Sequence, residues 1–562
     1  MWDTLVHYTE AYVTTVQAMA EPFTPPPVLY VQRILSKYAD TIGVPTDQLS
    51  FLLAAAGTLF VVGPITRFLP GPPLVRSLWG ALTGLFFCLL VIGSNWAHVA
   101  ISAFVSYAMM WLLPISIMPY AVFLFELFYT SLGHIHRMAV SSAPLIMDIT
   151  DGSSSAAATV PTAFDFSAPQ MILIIRMTSL AWSIYDGHRV RVFNAALAEW
   201  KVRFARDAST PEALAARAKI DRMEPSPSQV VRALPSPPNV LHFLGFILHP
   251  ASSFCGPAFD YHEYIQSISF AKVRPDGSPA PTVNYLRALR QMAVALFFGG
   301  LFFIGDKYAP VADLYRPELA QQGILYRIGL LYSSLLVQRS KYYFAWLLAE
   351  ACCLVSGFGY YAKGTEERWD GVENANVGEF ELGTSIRGLS VGWNKFTSKW
   401  LRTSVYDRVP PAWGLAATYI VSASWHGFYA GYYLFFFSAG FMQVINREFR
   451  RKIRPRIITP GSTPTTQLLY DIFTWAASLL AVSYLAASFV GLTLEAGLTV
   501  WSHFGYMGHY LSLVIWVVLK LIPPPPRTAA APGGPKKPVA AAAAAADLTT
   551  PSMAKAATIK AD

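Results

Sequence analysis

Between Arg76 and Glu126 the chain carries no Asp, Glu, Lys or Arg. Coiled as helix at 1.5 Å per residue, that run would be about 70 Å long, whereas the apolar core of a bilayer is only about 30 Å thick. It must therefore cross such a core at least twice. A second uncharged run lies between Arg408 and Arg447, and near its middle sits one histidine, His426. Charged residues are 14% of the chain and mean hydropathy is +0.38, while a soluble domain carries roughly 25% charged residues. The expected fold is all-α and polytopic, an integral membrane protein with roughly nine to twelve membrane segments.

The remaining composition narrows the partners. The net charge of +9 is modest over 562 residues, and no run of basic and aromatic residues suggests nucleic acid. The four cysteines form no CxxC pair and lie mostly in apolar runs, so buried free thiols are expected and a metal site is not. Met1 to Pro25 lacks the pattern of a cleaved signal peptide, which leaves the first span as the membrane signal.

Three regions are expected. Residues 1–48 read as an interfacial segment, broken at Pro25-Pro26-Pro27, with Val28, Val31, Ile34 and Leu35 marking the apolar side of a short helix. Residues 49–522 hold the spans, and 523–562 are Pro/Ala-rich and read as a disordered tail. Within the middle region, Phe51 to Ile65 begins the spans and Gly152 to Thr162 has loop chemistry. The apolar stretch Pro169 to Asp186 contains Arg176, which either pairs inside the protein or snorkels to the surface. Residues 187–234 are basic and punctuated by proline, and predict a cytosolic loop with one or two surface helices. Val240 to Phe254 is too short to span and predicts a re-entrant segment. Further spans are expected at 289–304, 323–337 and 342–360, with two more between Asp471 and Lys520. The basic cluster Arg447 to Arg456 is expected on the cytosolic face.

Chemistry concentrates around His426. An ionisable side chain at membrane depth is costly and by default marks a site. The bland alternative is a structural histidine bonded to nearby carbonyls. Gly427 and Ala430-Gly431 leave room for a backbone or a ligand to approach, and the run is longer than one crossing needs. A break is therefore expected between Gly427 and Gly431. Upstream, Asn394 to Arg408 reads as a helix. Trp393, Phe396 and Trp400 make an apolar face, and Lys395, Lys399 and Arg402 make a cationic one. Such a surface suits a ligand with phosphates at one end and an acyl chain at the other, or an interfacial helix with snorkelling lysines. A neutral imidazole can take a proton from an attacking hydroxyl, and an asparagine amide can orient a partner or donate to an oxyanion. Together they suit acyl transfer without a covalent enzyme intermediate. There is no GxSxG elbow and no glycine-rich phosphate loop.

The stretches Trp393 to Arg408 (WNKFTSKWLRTSVYDR) and Ser422 to Tyr433 (SASWHGFYAGYY) resemble the membrane-bound O-acyltransferase family. The likeness is to its lysophospholipid acyltransferase branch, above all the broad-specificity fungal members. Met171 to Gly187, Phe254 to Tyr264 and Lys341 to Tyr360 extend it in the expected order. Sterol and diacylglycerol branches resemble a Phe-Tyr-x-Asp-Trp pattern where this chain has Leu389-Ser390-Val391-Gly392. The resemblance implies a helical fold enclosing a transmembrane catalytic chamber, with acyl-CoA as a co-substrate entering from the cytosolic side and no permanently bound cofactor. The acceptor it implies is a lysophospholipid such as lysophosphatidylcholine, drawn from the membrane lipids of the endoplasmic reticulum. It makes His426 the general base and Asn394 its partner, and points to Trp393, Lys395, Thr397, Lys399, Arg402 and Trp425 as substrate-binding candidates. Other acceptors within the family, a neutral lipid or a protein, remain alternatives. A transporter with His426 and Arg176 on a polar pathway would instead require paired intramembrane charges and an internal repeat.

Overall fold

The computed structural model describes residues 2–140 and 165–524. The loop expected at Gly152 to Thr162 and nearly all of the Pro/Ala-rich tail lie outside them. The described chain is mainly helical, with irregular connections, an isolated bridge between Val273 and Pro279, and one exposed hairpin pairing Tyr361–Lys363 with Glu366–Arg368. The uncharged run divides into helices Pro73–Ile92 and Trp96–Leu112 and the start of a third, Met118–Val140. The first break falls at Gly93, whose φ of 53° favours a residue without a Cβ. The second falls at Pro114, which cannot donate to a helix ladder.

By length and hydropathy, four helical stretches among the described residues are fit to cross a membrane: Thr46–Phe68, Pro73–Leu112, Tyr285–Tyr308 and Pro464–Gly491. A fifth is possible by joining Leu494–His503 to Met507–Leu521, which meet at 77°. The bend lies where Gly505 and Tyr506 take positive φ. Other long helices carry some of their polar side chains toward the protein interior, which lowers their hydropathy without exposing those groups. Glu126 accepts from Ser102 (2.9 Å), Ser106 (2.6 Å) and Gln170 (2.9 Å), all of them buried. Outer helices do the reverse: Leu286, Leu289, Leu296, Phe297, Phe303 and Ile304 on Tyr285–Tyr308 all point outward. Polar groups satisfied inside and apolar side chains outside are what a bilayer solvent demands of a multi-spanning protein.

Arg176 resolves to the paired alternative. It is 1% exposed and donates to the carbonyls of Phe246 (2.8 Å), Ile247 (3.0 Å) and Ser252 (3.1 Å), and to the Ser252 hydroxyl. Those carbonyls lie at and just beyond the end of the short helix Val240–Ile247, so the guanidinium caps its negative pole. Phe243 and Phe246 are fully buried there, as a re-entrant segment requires. Gly84 lets this helix approach, since a Cβ at that position would overlap the Leu248 carbonyl.

Several expectations need correction. The spans predicted at 323–337 and 342–360 are one helix, Ile324–Val355, of 32 residues. The polar step Gln338 to Lys341 between them contains no Gly or Pro to end a helix, and Arg339 there is held by both oxygens of Glu381 (2.9 and 3.0 Å). The helix Ser167–Arg203 continues well into the basic region, which then holds two short helices, Pro211–Asp221 and Pro227–Arg232. At the N-terminus, helix Pro26–Ile42 buries Val28 and Leu35, but Ile34 is 39% exposed. The preceding helix, Trp2–Ala20, docks on the body: Val13 is fully buried, and Gln17 donates to Asn95 (2.7 Å).

Candidate active site

The expected break after His426 is present. The helix Gly414–His426 ends on the imidazole, and the next helix, Ala430–Lys452, begins three residues later in the sequence than Gly427. Gly427 has φ 124° and ψ −169°, a region open essentially to glycine alone. A Cβ there would also sit 3.2 Å from the ring of His134. Gly431 permits the return helix to meet Pro464–Gly491, because a Cβ would overlap the Ser488 carbonyl. The break thus follows from two glycines with different duties, one conformational and one steric.

Around His426 stand four aromatic rings: Trp425 at 4.6 Å between centroids, Phe489 at 5.0 Å, Phe436 at 5.3 Å and Tyr432 at 5.7 Å. The imidazole is half-buried and makes no hydrogen bond within the described residues. A structural histidine would have a carbonyl or hydroxyl on at least one nitrogen. This one keeps both nitrogens available to a ligand.

Asn394 is held very differently. It has φ 43° and ψ 59°, the left-handed conformation, directly before helix Lys395–Ser404. That conformation costs about 1–2 kcal/mol for most residues and is borne best by glycine and asparagine. The flanking backbone is clamped by one turn upstream. Asn376 N–H donates to Gly392 O (2.8 Å), Lys395 N–H to Asn374 O (2.8 Å) and Phe396 N–H to the Asn374 side chain (3.3 Å). The Asn394 amide itself makes no hydrogen bond within the described residues and is half-buried.

The helix is shorter than expected, ending at Ser404 with a separate turn at Tyr406–Arg408. Arg408 leaves it to form a buried bidentate pair with Asp186 (2.8 and 2.7 Å). Trp393 lies before the helix, boxed by Trp346 (4.9 Å), Phe380 (5.1 Å), Tyr343 (5.5 Å) and Tyr342 (5.8 Å). Phe396 and Trp400 do face inward, and Thr397 is buried beside them. The cationic face is not free. Lys395 pairs with Glu373 (2.9 Å) and Lys399 with Asp260 (2.6 Å), while the Arg402 side chain is 77% exposed and 3.9 Å from Asp407.

No hydrogen bond joins Asn394 to His426, but an aromatic pair connects their elements. Trp400 lies 6.1 Å from Trp425; Trp400 Nε1 donates to Thr178 and Trp425 Nε1 to the Met171 carbonyl, both at 2.9 Å. Spacing could not reveal His134, Asp260, Glu373 or Phe489. His134 did carry a signal, being an imidazole on a largely apolar helix, the same feature that singled out His426. Among the described residues no group of three His, Cys, Asp or Glu could hold a metal ion, and all four cysteines are free.

Residues 155–487 match the membrane-bound O-acyltransferase family. A lysophospholipid acyltransferase of Schizosaccharomyces pombe is 30% identical over 499 residues, spanning 86% of this chain and 88% of its own length. Membrane-bound glycerophospholipid O-acyltransferase 2 of Gallus gallus is 28% identical, over 87% of this chain and 88% of its own. Membrane-bound glycerophospholipid O-acyltransferase 1 of Mus musculus is 27% identical, over 87% and 93%.

Proposed function

The chain belongs to the membrane-bound O-acyltransferase family, and from that premise we propose that it transfers an acyl group from acyl-CoA to the free sn-2 hydroxyl of a lysophospholipid. His426 is the general base and Asn394 its polar partner. An imidazole nitrogen takes the proton of the lysolipid hydroxyl as that oxygen attacks the thioester carbonyl. The Asn394 amide N–H donates to the oxyanion of the tetrahedral intermediate, or fixes the attacking oxygen. The C–S bond then breaks, and the CoA thiolate leaves with the proton that His426 had accepted. No residue is acylated.

The observation that carries this reading is the His426 imidazole itself, set among four rings and without a hydrogen bond among the described residues. The acceptor follows the names of the relatives, which are lysophospholipid and glycerophospholipid acyltransferases. Trp393 and Trp425 serve as walls, Thr397 lies on the inward side, and Arg402 is the open cation for a CoA phosphate. Lys395 and Lys399 reach one only by exchanging a carboxylate partner. Residues 49–522 form the catalytic body, and 1–48 lie along the interface, where Trp2, Tyr8, Tyr30 and Tyr38 are exposed. The basic cluster Arg447 to Arg456 faces the cytosol, the source of acyl-CoA, in the endoplasmic reticulum membrane.

The test is transfer of a labelled acyl group from acyl-CoA to lysophosphatidylcholine by the purified protein in detergent. Labelled phosphatidylcholine is the expected product. Labelled neutral lipid in its place, with lysophospholipids inert, would reject the acceptor assignment.

A further inference from the structure

His134 reaches the end of the helix that carries His426 through the backbone. Trp425, the residue before His426, has a carbonyl at the end of helix Gly414–His426, and such terminal carbonyls have no partner in their own helix. That carbonyl meets Nε2 of His134, on helix Met118–Val140, at 2.9 Å. A carbonyl only accepts, so Nε2 carries the proton and donates. His134 is 5% exposed, and its ring also fills the space beside Gly427 where a Cβ would lie, 3.2 Å away. Other contacts fix Trp425 from different sides: its indole N–H on Met171 O at 2.9 Å, and its ring against Trp400.

We propose that His134 is the positioning residue for His426, holding the Trp425 carbonyl so that the helix stops at the imidazole and the ring points between its four aromatic neighbours. The proposal rests on His426 being the base. It adds that the orientation of that base is set from a different helix, through one hydrogen bond to the backbone. Gly427 is the other half of the device, because a Cβ there would press on the His134 ring at 3.2 Å.

Two variants separate positioning from bulk. His134→Phe keeps a planar ring but has no N–H; His134→Gln loses the ring but keeps an amide donor of similar reach. For purified enzyme, His134→Phe is expected to lower kcat about 10²-fold, the cost of misplacing a reacting group by about 1 Å, with both KM values unchanged. His134→Gln is expected to recover most of that loss. Wild-type kcat in His134→Phe, or equal losses in both variants, would overturn the proposal. Running His426→Ala in parallel keeps the two readings apart. If His426→Ala is active, the base assignment fails; if it is dead while His134→Phe is not, only the positioning role fails.

Discussion

The two ends of the candidate site are built by opposite means. At the histidine end the side chain is set among rings with no hydrogen bond among the described residues, while the backbone is broken by a glycine at φ 124°. At the asparagine end the break falls between helices at Trp393-Asn394, the backbone is left-handed with φ 43°, and it is clamped by Asn374 and Asn376 with the Glu373 carboxylate beside them. An apolar surround leaves a base unpaired and gives it no competing partner before substrate arrives. A polar clamp does something else: it stores the cost of a left-handed residue in hydrogen bonds made by its neighbours. One end keeps a nitrogen free, and the other keeps an amide in place. Acyl transfer needs both, because a proton must move at one atom while charge develops at another.

The sharpest way to break this contrast is to remove each side chain. His426→Ala is expected to lower kcat by at least about 10³-fold, within the range for loss of a general base, with the protein still eluting as a folded species in detergent. Wild-type turnover in that variant would end the comparison. Asn394→Gly is more informative than Asn394→Ala, because glycine accepts the left-handed conformation without strain. It is expected to lose about 10²-fold in kcat, the scale of one oxyanion donor, without loss of thermal stability. If Asn394→Gly is as active as wild type, the position serves the turn and not the chemistry.

How legible these two ends were in the sequence differs for the same physical reason. The histidine end announces itself locally: an uncharged run too long for one crossing, an ionisable residue inside it, and glycines directly after. The break at Gly427 and the identity of His426 as a candidate are both contained in a dozen residues. At the asparagine end, spacing showed three cations on one helix, but not that Asp260 and Glu373 would meet two of them. Those partners come from elements 139 and 22 residues away, and no periodicity links them. The same limit explains Ile324–Val355. Its polar step, Gln338 to Lys341, stays helical with Arg339 held by Glu381, 42 residues on, a partner that no local pattern shows. Apolar membrane faces are local properties of a sequence, whereas buried ion pairs are properties of a fold.

Between the two ends in expected effect stands the backbone break. Gly427→Ala places a Cβ in a conformation that costs about 1–3 kcal/mol outside glycine, against a ring 3.2 Å away. We expect a lower melting temperature in detergent together with a loss of kcat larger than the stability change explains, since the strain falls on the residue next to the base. An equally active and equally stable Gly427→Ala would mean that the break does not set the aim of His426.

The smallest effect belongs to the cationic face, and its size tests whether the paired lysines are available. Arg402 is the exposed member, with only a 3.9 Å contact to Asp407, so Arg402→Gln should raise KM for acyl-CoA a few-fold and leave KM for the lysolipid unchanged, as expected for one solvent-screened contact worth up to about 1 kcal/mol. Lys399→Gln makes the contrast. It strips the one cation that, among the described residues, lies within hydrogen-bonding distance of the Asp260 carboxylate, so part of its effect must appear as lost stability, whatever it does to KM. If Lys399→Gln instead raises KM for acyl-CoA more than Arg402→Gln does, at unchanged melting temperature, the Asp260 pair opens on binding. The polar end of the site would then be as free to meet its ligand as the apolar one.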